Sequence, residues 1–525
     1  MSKKAPQLRE NWGSKIGVIL AVSGSAVGLG NFLRFPVQAA SHGGGAFMIP
    51  YFLAFLLMGV PIAWVEWTIG RYGGRHGHGS APGVYHVISG GKRWAKYLGV
   101  TAILGPLGIF FYYCYVEGWA LAYSLFSLAG EYQTVQDPQQ MEAFLGGFQG
   151  VETNQYFNGL WTAYTAFSLV FIVNFYFIYR GVTRGIEKLN KVALPIMVLI
   201  GLVLLGRVIT LGSPHPENPE QNFINGMGFM WNPDFSILKD ASVWLAAAGQ
   251  IFFTLSVGMG SIMAYASYLK ARDDVALSSL TANSTNEFFE VVLGGSIVIP
   301  ASFMFFGAAG AQAVAQGGSF NLGFVTMPLI FNQMSGGAVI GFLWFFLLFL
   351  AGITSSVSLL QPAITFLEDE LKITRQQSVT GLGILCFLVT NFIIFTLARG
   401  SMDEMDFWAG TMMPVLNALL EVILFAWFFG LAKGFRELDM GANLKVPRIF
   451  KFIIKYITPC ALLAILITWI FQQGIPVITL KEVNKANHLT IWLTRLILSG
   501  VLITLIALVV TARRRGRFIK PEELR

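Results

Sequence analysis

Charge is what this chain has least of. Asp, Glu, Lys and Arg make up 12% of its 525 residues, roughly half the ~25% carried by soluble domains. A soluble multidomain enzyme is excluded on that ground. Cysteine is almost absent: Cys114, Cys386 and Cys460 each sit inside an apolar run. Three scattered thiols make no disulfide framework, and they read as small buried side chains. Histidine is scarce, and the one close pair, His76 and His78, lies in a basic loop without cysteine or acidic neighbours, which does not make a metal site. No nucleophile–base arrangement or phosphate loop occurs. GLGNFL at 28–33 lacks the third glycine and the βαβ setting of a dinucleotide fingerprint. A cleavable leader is not expected, because the opening residues are mostly polar and the first apolar run is of full spanning length.

What is abundant is hydrocarbon: 54% hydrophobic residues, with 45 Phe and 13 Trp. Apolar runs long enough to cross a bilayer, about 20 residues or more, recur at 14–36, 45–70, 97–128, 161–179, 192–212, 243–268, 288–311, 339–367, 378–398, 407–432, 449–471 and 490–512. These are taken as spans 1 to 12. The spans beginning at Tyr97, Gly294 and Gly337 look longer than one crossing, which implies tilt or extension beyond the lipid. Basic residues mark one side of the membrane. They precede span 1 (Lys3, Lys4, Arg9, Lys15), separate spans 2 and 3 (Arg71, Arg75, Lys92, Arg93, Lys96) and spans 4 and 5 (Arg180, Arg184, Lys188, Lys191), and follow span 12 (Arg513 to Arg515). The loop 129–160 has Glu131, Asp137, Glu142 and Glu152 and no Lys or Arg. Both termini are therefore read as cytoplasmic. The net charge of +8 is a topology signal rather than a nucleic-acid footprint, and the arginine cluster at 513–515 is read as an inner-leaflet anchor.

Two spans look built to break. Residues 27–31 read VGLGN and residues 257–261, in span 6, read VGMGS. Each glycine costs a helix interior about 1 kcal/mol against Ala. One such pair is usually a close-packing device. Two matched copies, each opening a set of five spans that start from opposite faces, are the mark of an inverted repeat with a site at the breaks. Non-helical backbone at that depth is tolerable only around a protein-lined cavity. Half-helix N-termini favour an anion and exposed carbonyls a cation. Neutral oxygens gather in the same spans, at Asn31, Thr254, Ser256, Asn286 and the run GITSSVS, 352–358. Carboxylates at Glu66, Glu117, Glu287, Glu290 and Glu421 also fall in or near apolar runs; such groups face a cavity or a partner. Arg34 has DEMD, 403–406, as the acidic cluster at comparable outer depth, which suggests an outer gate.

These residues are recognisable. SAVGLGNFLRFP at 25–36, GGGAFMIPY at 43–51, QIFFTLSVGMG at 250–260, AGITSS at 351–356, FLEDEL at 366–371 and DEMDFWAG at 403–410 resemble the neurotransmitter:sodium symporter family. The resemblance runs from about Trp12 to the last span. It implies an all-α polytopic membrane protein of the LeuT fold: 12 transmembrane helices in a 5+5 inverted-topology repeat, with helices 1 and 6 unwound. The expected division is a cytoplasmic segment 1–12, repeats 13–212 and 213–432, helices 11 and 12 over 433–512, and a basic tail 513–525. It implies sodium-driven amino-acid uptake by alternating access and no enzymatic activity, in a cell membrane, with a bacterial inner membrane expected. A small amino acid and the lipid bilayer are the partners implied; nucleic acid is not, and a homodimer is left open.

Carried over residue by residue, the resemblance implies one sodium site at Ala26, Asn31, Thr254 and Asn286, completed by the substrate carboxylate. It implies a second at Gly24, Val27, Ala351, Thr354 and Ser355. The substrate carboxylate would meet Leu29, Gly30 and Tyr113, and its ammonium Ala26, Phe253, Thr254 and Ser256. Its side chain would lie among Val27, Ile109, Tyr113, Phe253, Ser256, Met259, Ser355 and Leu359. Arg34 with Asp406 would form the outer gate, under a Tyr113–Phe253 lid, and Arg9 with Asp369 the inner one. Amine-transporting members have Asp where this chain has Gly28, so an amino acid is implied. Chloride-dependent members have Ser where this chain has Glu290, whose carboxylate would supply the negative charge beside Tyr51, Gln250 and Thr254, so no chloride is expected. Ile109, Met259 and Leu359 stand where the leucine-transporting pattern has Val, Phe and Ile, which leaves the particular amino acid open. Alternatives are an amino-acid sensor on a transporter fold, a symporter for a non-standard zwitterion, and a sodium-permeable channel, which would need no paired broken helices.

Overall fold

The computed structural model of the protein describes residues 12–481 and 483–518, so Arg9 of the expected inner gate lies outside the described residues. In hydrocarbon each backbone N–H and C=O must be satisfied within its own segment or by a neighbouring one, and this chain solves that with helices alone. Among the described residues there is no β-strand. Two helices, α1 (Lys15–Ala26) and α2 (Leu29–Ser41), form span 1, with a bend of 60° between them. Unbroken crossings follow at α3 (Gly45–Arg75), α4 (Ala95–Ala129), α5 (Trp161–Tyr179) and α6 (Val182–Ile209). Span 6 is again two pieces, α7 (Ala241–Leu255) and α8 (Ser261–Ala266). The remaining spans are α9 (Val275–Gln316), α10 (Gly337–Leu371), α11 (Arg375–Phe395), α12 (Ser401–Leu438), α13 (Ile449–Thr479) and α14 (Lys485–Arg514).

Each apolar run of the sequence corresponds to one of these spans. The three expected to exceed a single crossing do so, with 35 residues in α4, 42 in α9 and 35 in α10. The run 288–311 understates α9, whose first turns are the polar stretch Val275–Glu287, capped by Asp274 accepting from the backbone N–H of Leu277. Hydropathy misses this stretch because its polar residues Ser279, Asn283 and Asn286 are buried against protein rather than exposed to lipid.

Both breaks are made by backbone geometry. At the first, Val27 and Gly28 are extended between α1 and α2. At the second, Ser256, Gly258 and Gly260 all have left-handed φ, at 53°, 75° and 67°. A Cβ built on Gly258 would fall on the carbonyl of Pro414 in α12, so both conformation and space require glycine there.

The cysteine expectation needs one correction. Cys114 and Cys386 are buried, but Cys460 on α13 is exposed. A face that meets lipid is as apolar as one that meets protein, so sequence cannot separate them.

Gly258→Ala should lower the thermal stability of the detergent-solubilised protein by about 1–3 kcal/mol, the usual cost of forcing a side chain into such backbone. An unchanged melting temperature would show that the span-6 break does not need the left-handed glycine.

Candidate functional site

The two breaks are tied together at one carbonyl. Ser25 O, at the end of α1, accepts from Ser256 Oγ at 3.1 Å and from Ser355 Oγ of α10 at 3.1 Å. The free N–H groups at the start of α2 also find side chains. Gly28 N donates to Asn31 Oδ1 at 2.8 Å, and Leu29 N to the Tyr113 hydroxyl of α4 at 3.3 Å. There is no room for side chains here. A Cβ on Gly28 would lie 2.9 Å from the Tyr113 hydroxyl, and one on Gly30 would run into the Phe253 ring. Break 1 thus presents N–H groups on one side and a carbonyl on the other.

Asn31, Thr254 and Asn286, three residues of the first expected sodium site, converge. Asn31 Nδ2 lies 3.1 Å from Thr254 Oγ1, 2.9 Å from Asn286 Oδ1 and 3.0 Å from Glu290 Oε2. Asn286 Nδ2 donates to Thr254 Oγ1 at 2.9 Å, and the Thr254 hydroxyl donates to Glu290. Glu290 is fully buried. Its other oxygen accepts from Gln250 Nε2 and from the Tyr51 hydroxyl, each at 2.9 Å, and Tyr51 also reaches Glu287 at 2.7 Å. The fourth residue, Ala26, ends α1 next to this cluster in sequence. Buried neutral oxygens beside the Glu290 carboxylate are of the chemistry suited to a hard cation.

The residues of the second expected site lie where α1 meets α10. Thr354 Oγ1 bonds back to Leu350 O at 2.9 Å and Ala351 O at 3.1 Å in its own helix. A Cβ on Gly24 would come 3.3 Å from Thr354 Cβ. Ser355 bridges to α1 through Ser25 O as above. The apolar wall of Val27, Ile109, Met259 and Leu359 is buried, as are Tyr113 and Ser256, while Phe253 is half-buried.

The gates are only partly as expected. The Arg34 guanidinium lies over the Phe253 ring at 4.4 Å, and its Nη1 donates to Gln250 Oε1 at 3.2 Å and Gly249 O at 3.4 Å. Among the described residues, Arg34 and Asp406 form no direct ion pair. Asp406 accepts from Tyr112, and Glu404 of the same acidic cluster pairs with Arg495 of α14 at 2.7 Å. Gln250 was expected beside Glu290 but not as a partner of Arg34, and Tyr112 and Arg495 were missing from the sequence reading; of those two only Arg495, a charge at the edge of the last span, left a signal there. At the other end Asp369 accepts from Gly79 N at 2.8 Å, and Arg9 is outside the described residues. His78, of the histidine pair, meets Glu370 at 2.6 Å.

The remaining intramembrane carboxylates serve the backbone and their neighbours. Glu66 accepts from Gly258 N at 2.5 Å, at the span-6 break. Glu421 accepts from Tyr85 at 3.0 Å and from Asn417 at 2.7 Å, and Asn417 also donates to Gly258 O at 3.0 Å. Glu117 accepts from Asn174 at 2.7 Å.

Comparison with known proteins gives one consistent picture. A sequence model of the sodium:neurotransmitter symporter family matches residues 9–142 and 139–514. An uncharacterized sodium-dependent transporter of Methanocaldococcus jannaschii is 29% identical over 87% of this chain and 89% of its own length. The sodium-dependent dopamine transporter of Bos taurus is 27% identical over 88% of this chain and 69% of its own. The sodium-dependent nutrient amino acid transporter 1 of Drosophila mojavensis is 24% identical over 89% and 77%. The solved structure of MhsT in complex with L-phenylalanine matches with a TM-score of 0.74 and 28% identity, over 88% of this chain and 99% of that one.

Tyr51→Phe removes the hydroxyl that both Glu287 and Glu290 use. It should destabilise the protein by about 1–3 kcal/mol, the cost of leaving a buried acceptor short of a donor, read as a lower melting temperature in detergent. A neutral result would mean that Gln250, Thr254 and Asn31 alone satisfy Glu290.

Proposed function

The chain belongs to the sodium:neurotransmitter symporter family, and on that premise we propose that it takes up a neutral, mostly apolar amino acid with sodium, by alternating access and without chloride. The family is one of sodium-coupled membrane transporters, not enzymes, and the chain has the LeuT fold of its solved neighbour. The span-1 break carries the substrate reading. The N–H of Leu29 and the Tyr113 hydroxyl are 3.3 Å apart, so a carboxylate inserted between them would gain two donors at a half-helix N-terminus. The carbonyl side, at Ser25 O with Ser256 and Ser355, suits an ammonium. Gly28 has no carboxylate to offer and no room for one, so the substrate brings its own anion. That favours an amino acid over an amine.

Two sodium ions fit this reading, one beside Ala26, Asn31, Thr254 and Asn286 and one at the meeting of α1 and α10. The substrate carboxylate would complete the first shell, which couples amino-acid and sodium binding directly. The side chain would lie against Val27, Ile109, Met259 and Leu359. Apolar pockets discriminate by only ~1–3 kcal/mol per methylene, and methionine repacks easily. A small set of aliphatic and aromatic amino acids is therefore the expected substrate range, and the phenylalanine held by MhsT falls within it. Glu290 supplies a fixed negative charge next to Asn31 and Thr254, the role chloride would otherwise fill. Arg34 over Phe253 supports closure on the outer side. The one-sided distribution of Lys and Arg supports cytoplasmic termini, in a bacterial inner membrane.

Uptake of a panel of radiolabelled amino acids into proteoliposomes, with and without an inward sodium gradient, tests the reading. Sodium-dependent accumulation of one or a few neutral amino acids is the expected result; sodium-dependent binding without accumulation would make the protein a sensor. Wild-type uptake should not respond to chloride. Glu290→Ser should transport only when chloride is present, and a Glu290→Ser protein that transports equally well in gluconate would refute the charge-replacement argument.

A further inference from the structure

Several buried polar atoms of the described residues have no hydrogen-bond partner, and one of them, in Asn190, lies against Gly24. Asn190 lies in α6 and is 0% exposed. Its Nδ2 donates to Ile186 O of its own helix at 2.9 Å. Its Oδ1 is buried and makes no hydrogen bond. The back-bond accounts for the donor half of the amide and fixes which way the acceptor half points. Buried acceptors are almost always satisfied, and an exception calls for an explanation such as an ion.

The oxygen points at the meeting of α1 and α10. A Cβ built on Gly24 would overlap Asn190 Oδ1, and the same Cβ would lie 3.3 Å from Thr354 Cβ. Asn190 Oδ1 therefore stands against Gly24, one of the five residues assigned above to the second sodium site, on a side of α1 that Thr354 also approaches. Glycine at position 24 is what lets the amide approach. One helical turn earlier, a π-turn covers Val182–Glu187, a feature often found at functional sites. In that turn Glu187 accepts from Gly13 N at 3.0 Å, so this face of α6 is held against the start of α1.

We propose that Asn190 Oδ1 is a further oxygen donor to the sodium ion between α1 and α10, alongside Gly24, Val27, Ala351, Thr354 and Ser355. The inference rests on the reading of that location as a sodium site. A neutral amide oxygen is a hard ligand of the kind such cations take, and five donors leave room for a sixth in an ordinary shell. Asn190 thereby links α6 to the ion, so binding of sodium draws α1, α6 and α10 together.

The test uses Na+ alone, with no amino acid, because the site at Asn31 needs the substrate carboxylate to be complete. Thermal melting of the purified protein in detergent is followed as sodium replaces potassium at constant ionic strength. Asn190→Ala should raise the sodium concentration at the midpoint of stabilisation about tenfold, the low end of the cost of losing a supporting donor at a metal site. Asn190→Asp, which keeps an oxygen in place, should bring the midpoint back below that of Asn190→Ala, and the alanine variant should alter the preference for sodium over lithium. Thr354→Ala is the reference. If Thr354→Ala shifts the midpoint and both Asn190 variants match wild type, Asn190 is not a donor and the proposal is overturned while the sodium site stands. If Thr354→Ala leaves the midpoint unmoved as well, the site reading itself fails and the inference falls with it.

Discussion

Every backbone polar group at membrane depth needs a partner, and two interrupted helices break the rule that each span supplies its own. The rest of the structure is arranged around repairing those interruptions. At the span-6 break, Glu66 takes the N–H of Gly258 and Asn417 serves its carbonyl. At the span-1 break, Asn31 and Tyr113 take the N–H groups of Gly28 and Leu29, while Ser256 and Ser355 bond the carbonyl of Ser25. The two repairs differ in kind. Groups at Gly258 are closed off by buried residues of α3 and α12. Those at 25–29 are met by hydroxyls and an amide that can exchange one partner for another. The span-6 break is therefore closed by buried side chains, and the span-1 break is where the proposed zwitterion would compete for partners.

The same economy governs charge. A buried carboxylate is costly unless several donors meet it. Glu290 has four neighbours in reach: Asn31, Tyr51, Gln250 and Thr254. Two of these, Asn31 and Thr254, belong to the first candidate sodium site, so the charge on Glu290 and a bound cation act on the same amide and hydroxyl. On the outer side, Gln250 bridges Glu290 to Arg34. One side chain thus joins the anion beside the candidate ion site to the cation above Phe253, with no ion pair between Arg34 and Asp406 among the described residues. That link connects Arg34 to the candidate sodium site through α7 rather than across to α12.

Much of this was legible from composition and pattern. Length and hydropathy of the apolar runs located the spans, because a bilayer imposes its thickness on any helix that crosses it. The glycine pairs at 28–30 and 258–260 located both breaks, the second because its backbone is left-handed and the first because Tyr113 and Phe253 leave no space for a side chain. Asn31, Thr254 and Asn286 were identified beforehand and do converge. Less legible were the pairings. Which of Glu66, Glu117, Glu290 and Glu421 serves a break, a neighbour or an ion site depends on residues up to several hundred positions away. Tyr51 beside Glu290 was expected from the resemblance, but Tyr51 meeting Glu287 and Tyr85 meeting Glu421 follow only from the fold.

The sequence by itself thus determined the class, the spans and the position of the breaks, since each follows from local chemistry repeated along the chain: hydrophobicity over a bilayer's thickness and the freedom of glycine. Only the tertiary structure decided that Arg34 turns to Gln250 and Phe253, that Glu404 takes Arg495, that Cys460 faces outward, and that the amide of Asn190 lies over Gly24. Those are contacts between distant segments, set by which helix faces pack together, and a run of uniformly apolar residues carries no record of its facing.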